Sequence, residues 1–221
     1  MSARAPQERQ PLHIEGNSKL ENVAIGPLVK ALSGTQLIKA SGIVSMDTQV
    51  STSGNSPAAL VYDLSGQGTV TGNNIVLEGV DITRFARALS EESKPGDTAL
   101  GLWKGSTKGG STSFDTLDGN YAITEGIINI AKLDLDGPGA SIATTGNINL
   151  PQWTLATKHH ITVKNRDDVP PFDVSFNGSI DNPGQTFGQG LLQDYLSRKV
   201  NRKVQSILSK KLGLPTEEGQ D

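Results

Sequence analysis

The stretch ASIATTGNINLPQWTLATKHHITV, residues 140–163, constrains the fold of this chain more than any other. Ile142, Gly146, Ile148 and Leu150 fall on one parity. After Pro151 and Gln152 the pattern resumes with Trp153, Leu155, Ile161 and Val163. Alternation with period two marks a strand with one buried face. A turn at Pro151-Gln152 sets Leu150 opposite Trp153, Ile148 opposite Leu155 and Ile142 opposite Ile161. All of these apolar side chains then lie on one face, and a ten-residue strand extends that face over about 33 Å. Such a face needs a cover, which is a helix layer, a second sheet or an apolar partner that is not protein.

The rest of the chain repeats the device. GIVSMDTQVSTSG places Val44, Met46 and Val50 on one face. NYAITEGIINIAKLDLDG predicts a hairpin at Glu125-Gly126, with Ile123 opposite Ile128 and Tyr121 opposite Ile130. The apolar parity then moves to Leu133 and Leu135, which calls for a bulge near Ala131-Lys132 because one extra residue flips the side-chain phase. PFDVSFNGSI alternates Phe172, Val174, Phe176 and Ile180. Hairpins in succession, without long crossovers, predict an antiparallel meander.

Short helices interrupt the strands. GPLVKALSG has Pro27 in a first turn and Gly34 as its stop; SPAALVYDLSG has Ser56 as N-cap followed by Pro57. DITRFARALSEE has Asp81 as N-cap and Ile82, Phe85, Ala86 and Leu89 on one side. The segment 93–113, rich in Gly, Ser, Thr and Lys, reads as a mobile loop with Trp103 packed down as a plug. The longest helix is the last, residues 187–212, with a stripe of Leu192, Leu196, Val200, Val204, Ile207 and Leu208. Six cations and no acid lie between Arg198 and Lys211. The stripe is expected to pack across the sheet and the cations to face outward.

Signals for catalysis are weak. The absence of cysteine removes a disulfide framework and thiolate chemistry. His13, His159 and His160 are the only histidines, and none stands by a nucleophile elbow. His159 and His160 are strand neighbours, so they point to opposite faces and cannot chelate one metal. His159 is expected half-buried and His160 exposed. KGSTKGGST lacks phosphate-loop spacing, and LDLDG is an incomplete calcium loop whose leucines suit a strand. A formal charge of −3 gives no reason to expect nucleic acid. No apolar run approaches a membrane span of about 20 residues. The opening MSARAPQERQ has no apolar signal core, and LHIEG enters a strand abruptly. This reads as a chain that begins within a longer protein.

The order of motifs is distinctive. LENVAIGPLVKAL, TSGNSPAALVYDLSGQGTV and NNIVLEGVDITRFARAL resemble the C-terminal region of the AsmA family, as does the run from STSFDTLDGNYAITEG to NINLPQWTL. VSFNGSIDNPGQTF is similar to that family's terminal strand and proline exit. The resemblance spans roughly residues 20–187. It implies a Gram-negative envelope protein on the periplasmic face of the inner membrane, with a curved β-sheet whose apolar trough passes phospholipid to the outer membrane. It carries over no catalytic residues and no cofactor.

Together these readings give a mainly β, β-rich α+β chain: a long curved antiparallel sheet, short covering helices and a long C-terminal amphipathic helix. The expected divisions are 1–19 as the end of a preceding β segment or lead, 20–186 as the AsmA-like domain, 187–212 as the basic helix, and 213–221 as a disordered acidic tail. The expected lipid-facing groove comprises Ile142, Ile148, Leu150, Trp153, Leu155, Ile161, Val163, Phe172, Val174 and Phe176. The expected contact with a membrane surface comprises Arg198, Lys199, Arg202 and Lys203. The chain on its own is expected to be soluble and non-enzymatic, with phospholipid, a membrane surface and envelope assembly proteins as partners. The rival reading is a dry-cored scaffold that assists outer-membrane protein assembly.

Overall fold

A computed structural model describes residues 11–28, 39–188 and 190–212. Nine strands form one antiparallel sheet in chain order. They are β1 (Leu12–Ala24), β2 (Lys39–Gly54), β3 (Ser65–Glu78), β4 (Ser111–Thr124), β5 (Ile127–Asp136), β6 (Ala140–Asn149), β7 (Thr154–Val163), β8 (Phe172–Ser179) and β9 (Gly184–Phe187). The sheet is open and curved. Helix α1 (Pro57–Tyr62) joins β2 to β3. Helix α2 (Ile82–Arg87), a π-helical turn (Ala88–Glu92) and helix α3 (Ala99–Ser106) lie between β3 and β4. Helix α4 (Gly190–Leu212) follows β9.

Local rules set most of these elements. Ile148 pairs with Leu155 and Ile142 with Ile161, the register expected from the alternation. In the turn between them the Trp153 amide donates to the Leu150 carbonyl at 3.3 Å. The Asn149 side chain accepts the Gln152 amide at 2.9 Å. The positive φ that a glycine would carry falls on Trp153, at 53°, a cost of about 1–2 kcal/mol. The β4–β5 hairpin turns at Glu125-Gly126, where both φ angles are positive, as a tight two-residue hairpin requires. The β4–β5 register shifts between Asn120 and Tyr121, which pair with Lys132 and Ile130. Ala131 is therefore the extra residue of the expected bulge. Ser56 and Asp81 cap α1 and α2, their side chains accepting the amides of Ala59 and Arg84.

The core lies where helices meet the sheet. Ile82, Phe85, Ala86 and Leu89 are buried against Val44, Ile75, Phe114, Ile142, Ile161 and Phe172. Phe85 meets Trp103, Phe172 and Phe187 edge-on at 5.3, 5.1 and 6.0 Å between ring centres. Edge-to-face pairs add about 0.5–1.5 kcal/mol each beyond the area they bury. Leu192 and Leu196 of α4 close this cluster, with no more than 1% exposure.

Several expectations change. The segment 93–113 is not one mobile loop, because α3 occupies its middle and β4 begins at Ser111. Thr98 caps α3 by accepting the Gly101 amide at 3.1 Å, and Trp103 is buried at 3% exposure. The strand β1 runs through the expected boundary at residue 19, so 1–19 and 20–186 do not part there. Phe187 ends β9 and pairs with Val174, so the last helix begins at Gly190. The expected GPLVKALSG helix is described only over residues 25–28, which are helical. Its remainder, and the tail 213–221, lie outside the described residues.

Candidate functional site: an apolar trough and a basic helix

Strand pairing sorts the inner face into rows that run across the sheet. One row carries Val44, Gly72, Leu117, Leu135, Ile142, Ile161 and Phe172. This row sits under the helices. Toward the turn that holds Trp153, two rows lie outside the main core cluster for most of their length. The first is Thr48, Gly68, Tyr121, Ile130, Gly146, Thr157 and Phe176. The second is Val50, Gly66, Ile123, Ile128, Ile148, Leu155 and Gly178. Most of their apolar side chains are half-buried, Ile123 being the buried exception. Strands lie about 4.8 Å apart, so the seven strands from β2 to β8 carry such a trough over about 29 Å.

The side walls come from the helices. On one side stands the α2–α3 cluster. On the other, α1 folds back over the end of β2, where the Thr52 hydroxyl donates to the Leu60 carbonyl at 2.5 Å. The glycines keep the floor low. A Cβ on Gly68 would meet the Tyr121 ring at 2.5 Å. That ring therefore lies flat across β3, and its hydroxyl reaches the Thr48 hydroxyl at 2.5 Å.

The expected groove residues divide between core and trough. Ile142, Ile161, Val163, Phe172 and Val174 are 2–7% exposed beneath the chain's own helices, so they form a dry core and not a lipid-facing surface. The physical reason is that α2, α3 and the start of α4 together bury more apolar surface than their short sequences suggest. Ile148, Leu155 and Phe176 line the trough as half-buried side chains. Leu150 is half-buried at its rim, and Trp153 is 39% exposed there with its indole donating to Asp181 at 3.1 Å.

One polar station breaks the apolar surface. His159 pairs across the sheet with Thr144 and Val174. Its ring nitrogens lie 2.9 Å from the Thr144 hydroxyl and 3.1 Å from the Thr157 hydroxyl. Burial pulls its pKa below the usual histidine value. His160 points to the other face and is exposed, with its Nδ1 2.8 Å from Asp173. Sequence reasoning missed Tyr121 and the glycines as floor residues, although their shared parity on paired strands carried that signal.

The terminal helix also divides. Leu192, Tyr195 and Leu196 are buried, and Val200 packs against the core cluster. Val204, Ile207 and Leu208 are 37–50% exposed, so the apolar stripe is covered only along its first half. Successive helical residues turn by about 100°, which sets Arg198 and Arg202 opposite this stripe. Lys199 is not turned outward: its ammonium lies 3.3 Å from Asp168 and 5.8 Å from the centre of the Tyr195 ring. Lys203 reaches toward the Glu91 and Ser93 carbonyls at 3.4 and 3.5 Å. The Tyr195 hydroxyl donates to Asp168 at 2.6 Å, which holds that carboxyl below the usual range, with Lys199 acting the same way. Asp168, Tyr195, Arg198, Lys199 and Arg202 line a cavity of about 430 Å³. Among the described residues no helix is long and apolar enough to cross a membrane.

The family model described as the AsmA family matches residues 3–133, more than half of the 221. The match covers β1 to β4 and most of β5, with both walls of the trough. No curated protein and no solved structure matches.

Proposed function

Because the chain belongs to the AsmA family, a family associated with envelope biogenesis and lipid transport, we propose that its trough holds phospholipid acyl chains in transit between the inner and outer membranes. The observation that carries this reading is the pair of half-covered rows between α1 and the α2–α3 cluster. Each methylene removed from water there gains about 0.8 kcal/mol, and interspersed glycines leave room for a chain above the floor. Rows that cross the strands suit an extended acyl chain lying across the sheet. In this reading the protein is non-enzymatic and stands at the periplasmic face of the inner membrane. The exposed end of α4, with Val204, Ile207 and Leu208 beside Lys210 and Lys211, touches an anionic membrane surface weakly and reversibly.

The test is native mass spectrometry of the chain purified from cells that contain phospholipid. A population carrying the mass of a bound lipid is expected. Protein masses alone, with every detergent and salt condition preserving the fold, would favour the dry scaffold that docks on envelope assembly proteins.

A further inference from the structure

Most cations near the start of α4 are already engaged by protein. Arg166 pairs with Glu91 and donates to the Ser90 hydroxyl at 2.8 Å. Lys199 is held by Asp168 and Lys203 by the carbonyls of Glu91 and Ser93. Arg198 and Arg202 differ, since among the described residues neither guanidinium makes a hydrogen bond or ion pair, although Arg202 lies close enough to act electrostatically on the Tyr195 hydroxyl. They stand one helical turn apart, so their side chains leave the same side of α4 about 6 Å from each other. Their stretch of the helix is fixed, with Leu192 and Leu196 buried. Both line the cavity of about 430 Å³ whose other walls are Tyr195, Lys199 and Asp168. Asp168 does not cancel the pair, because its carboxylate is already occupied by the Tyr195 hydroxyl at 2.6 Å and the Lys199 ammonium at 3.3 Å.

We propose that this cavity is a phosphate site in which Arg198 and Arg202 bracket the phosphodiester of an anionic lipid headgroup. Two planar forks a turn apart match the tetrahedral oxygens of a phosphate, with charge-assisted bonds to each. The Tyr195 ring gives the headgroup an apolar wall, and Lys199 offsets the charge of Asp168, so the net positive charge of the site is that of the two arginines. The site lies beside the loop between β7 and β8, on a different part of the molecule from the trough. It binds phosphate whether or not acyl chains enter the trough, so the lipid-mass measurement above and the test below fail separately.

The test uses the whole chain. The arginine side-chain N–H resonances are followed by NMR while sodium phosphate is added at constant ionic strength. Flotation with vesicles of phosphatidylglycerol in phosphatidylcholine, against phosphatidylcholine alone, is measured in parallel. Two resonances are expected to shift with phosphate and to vanish in Arg198→Gln/Arg202→Gln. That variant is expected to lose vesicle binding about tenfold or more, and Lys104→Gln/Lys108→Gln, which removes equal charge from exposed positions away from α4, less than about threefold. Arg198→Lys/Arg202→Lys keeps the charge but loses the forks, so an intermediate loss is expected. Equal losses in the two Gln variants, or no phosphate-dependent shift, overturn the site. Phosphate shifts without phosphatidylglycerol-dependent flotation overturn the lipid source and leave free phosphate as the ligand.

Discussion

Leu155→Asp and Ile161→Asp put the same carboxylate on the same face of the same strand, one in the trough and one beneath the helices. Ile161 is 3% exposed, with Ile142 and Phe172 as its cross-strand neighbours. An unpaired carboxylate there costs several kcal/mol, comparable with the whole stability of a typical domain, about 5–15 kcal/mol. At about 2–4 °C per kcal/mol for a chain of this size, Ile161→Asp is expected to lower Tm by more than about 10 °C or to prevent folding. Leu155 is half-buried, with Ile148 on one side and only Gly178 on the other. About half of the 1.5–3 kcal/mol for burying a leucine is lost, and the new carboxylate stays hydrated. The expected cost is about 1 kcal/mol, or about 2–4 °C. Circular-dichroism melts measure both variants. In native mass spectrometry, the lipid-bound fraction of Leu155→Asp is expected to fall below about a tenth of wild type, because a charge against an acyl chain costs more than the roughly 1.4 kcal/mol that a tenfold change represents. Equal destabilisation by the two variants would mean the trough is closed core. Undiminished lipid on Leu155→Asp would mean the cargo lies elsewhere.

His159 makes the fold sensitive to mild acid. Its folded pKa is lowered by burial, so the unfolded chain takes up the proton first, near pH 6.5; the His159 contribution is complete above that pH and is lost as pH falls below it, until the folded imidazole also protonates. Melts from pH 7.5 to 5 should show a falling Tm in wild type and a flatter profile in His159→Gln, and parallel profiles would remove His159 as the source. On the trough floor, Gly68→Ala sets a Cβ 2.5 Å from the Tyr121 ring and 2.8 Å from the Asp47 carbonyl. The ring must lift and release Thr48, at an expected cost of about 1–3 kcal/mol. In a urea-denaturation double-mutant cycle, a Tyr121→Ala background should recover much of it, whereas a purely additive cycle would show that the backbone contact, not the ring, sets the cost.

The parts of this fold that are legible in the sequence are those set by neighbours along the chain. Alternation gave the β6–β7 register, a phase shift gave the bulge at Ala131, and Ser56 and Asp81 announced their helices. Helix α3 was hidden because Gly101, Lys104 and Gly105 dilute its pattern; the usable signal was Thr98 as a cap followed by Ala99 and Trp103 four residues apart, both buried. The partners of Lys199 and Lys203 were not legible, since Asp168 and the Glu91 carbonyl lie far away in sequence.

The division of the groove was illegible for a deeper reason. Ile161 and Leu155 share a parity, a strand and a chemistry, and differ only in the row they occupy. Period two reports which face a side chain takes, and says nothing about how far along the strand a helix from another part of the chain comes to rest. That distance depends on α2 and α3 docking over Phe172 and Phe187 and stopping there. The consequence bears on the proposed transport. Because the covering helices occupy rows at one end of the strands, the uncovered rows continue from β2 to β8, along the hydrogen-bonding direction. Each strand lengthens such a trough by about 4.8 Å without widening it. A conduit of this design takes its length from the number of strands and its bore from where the helices stop, so trough length and trough selectivity are set by different parts of the sequence.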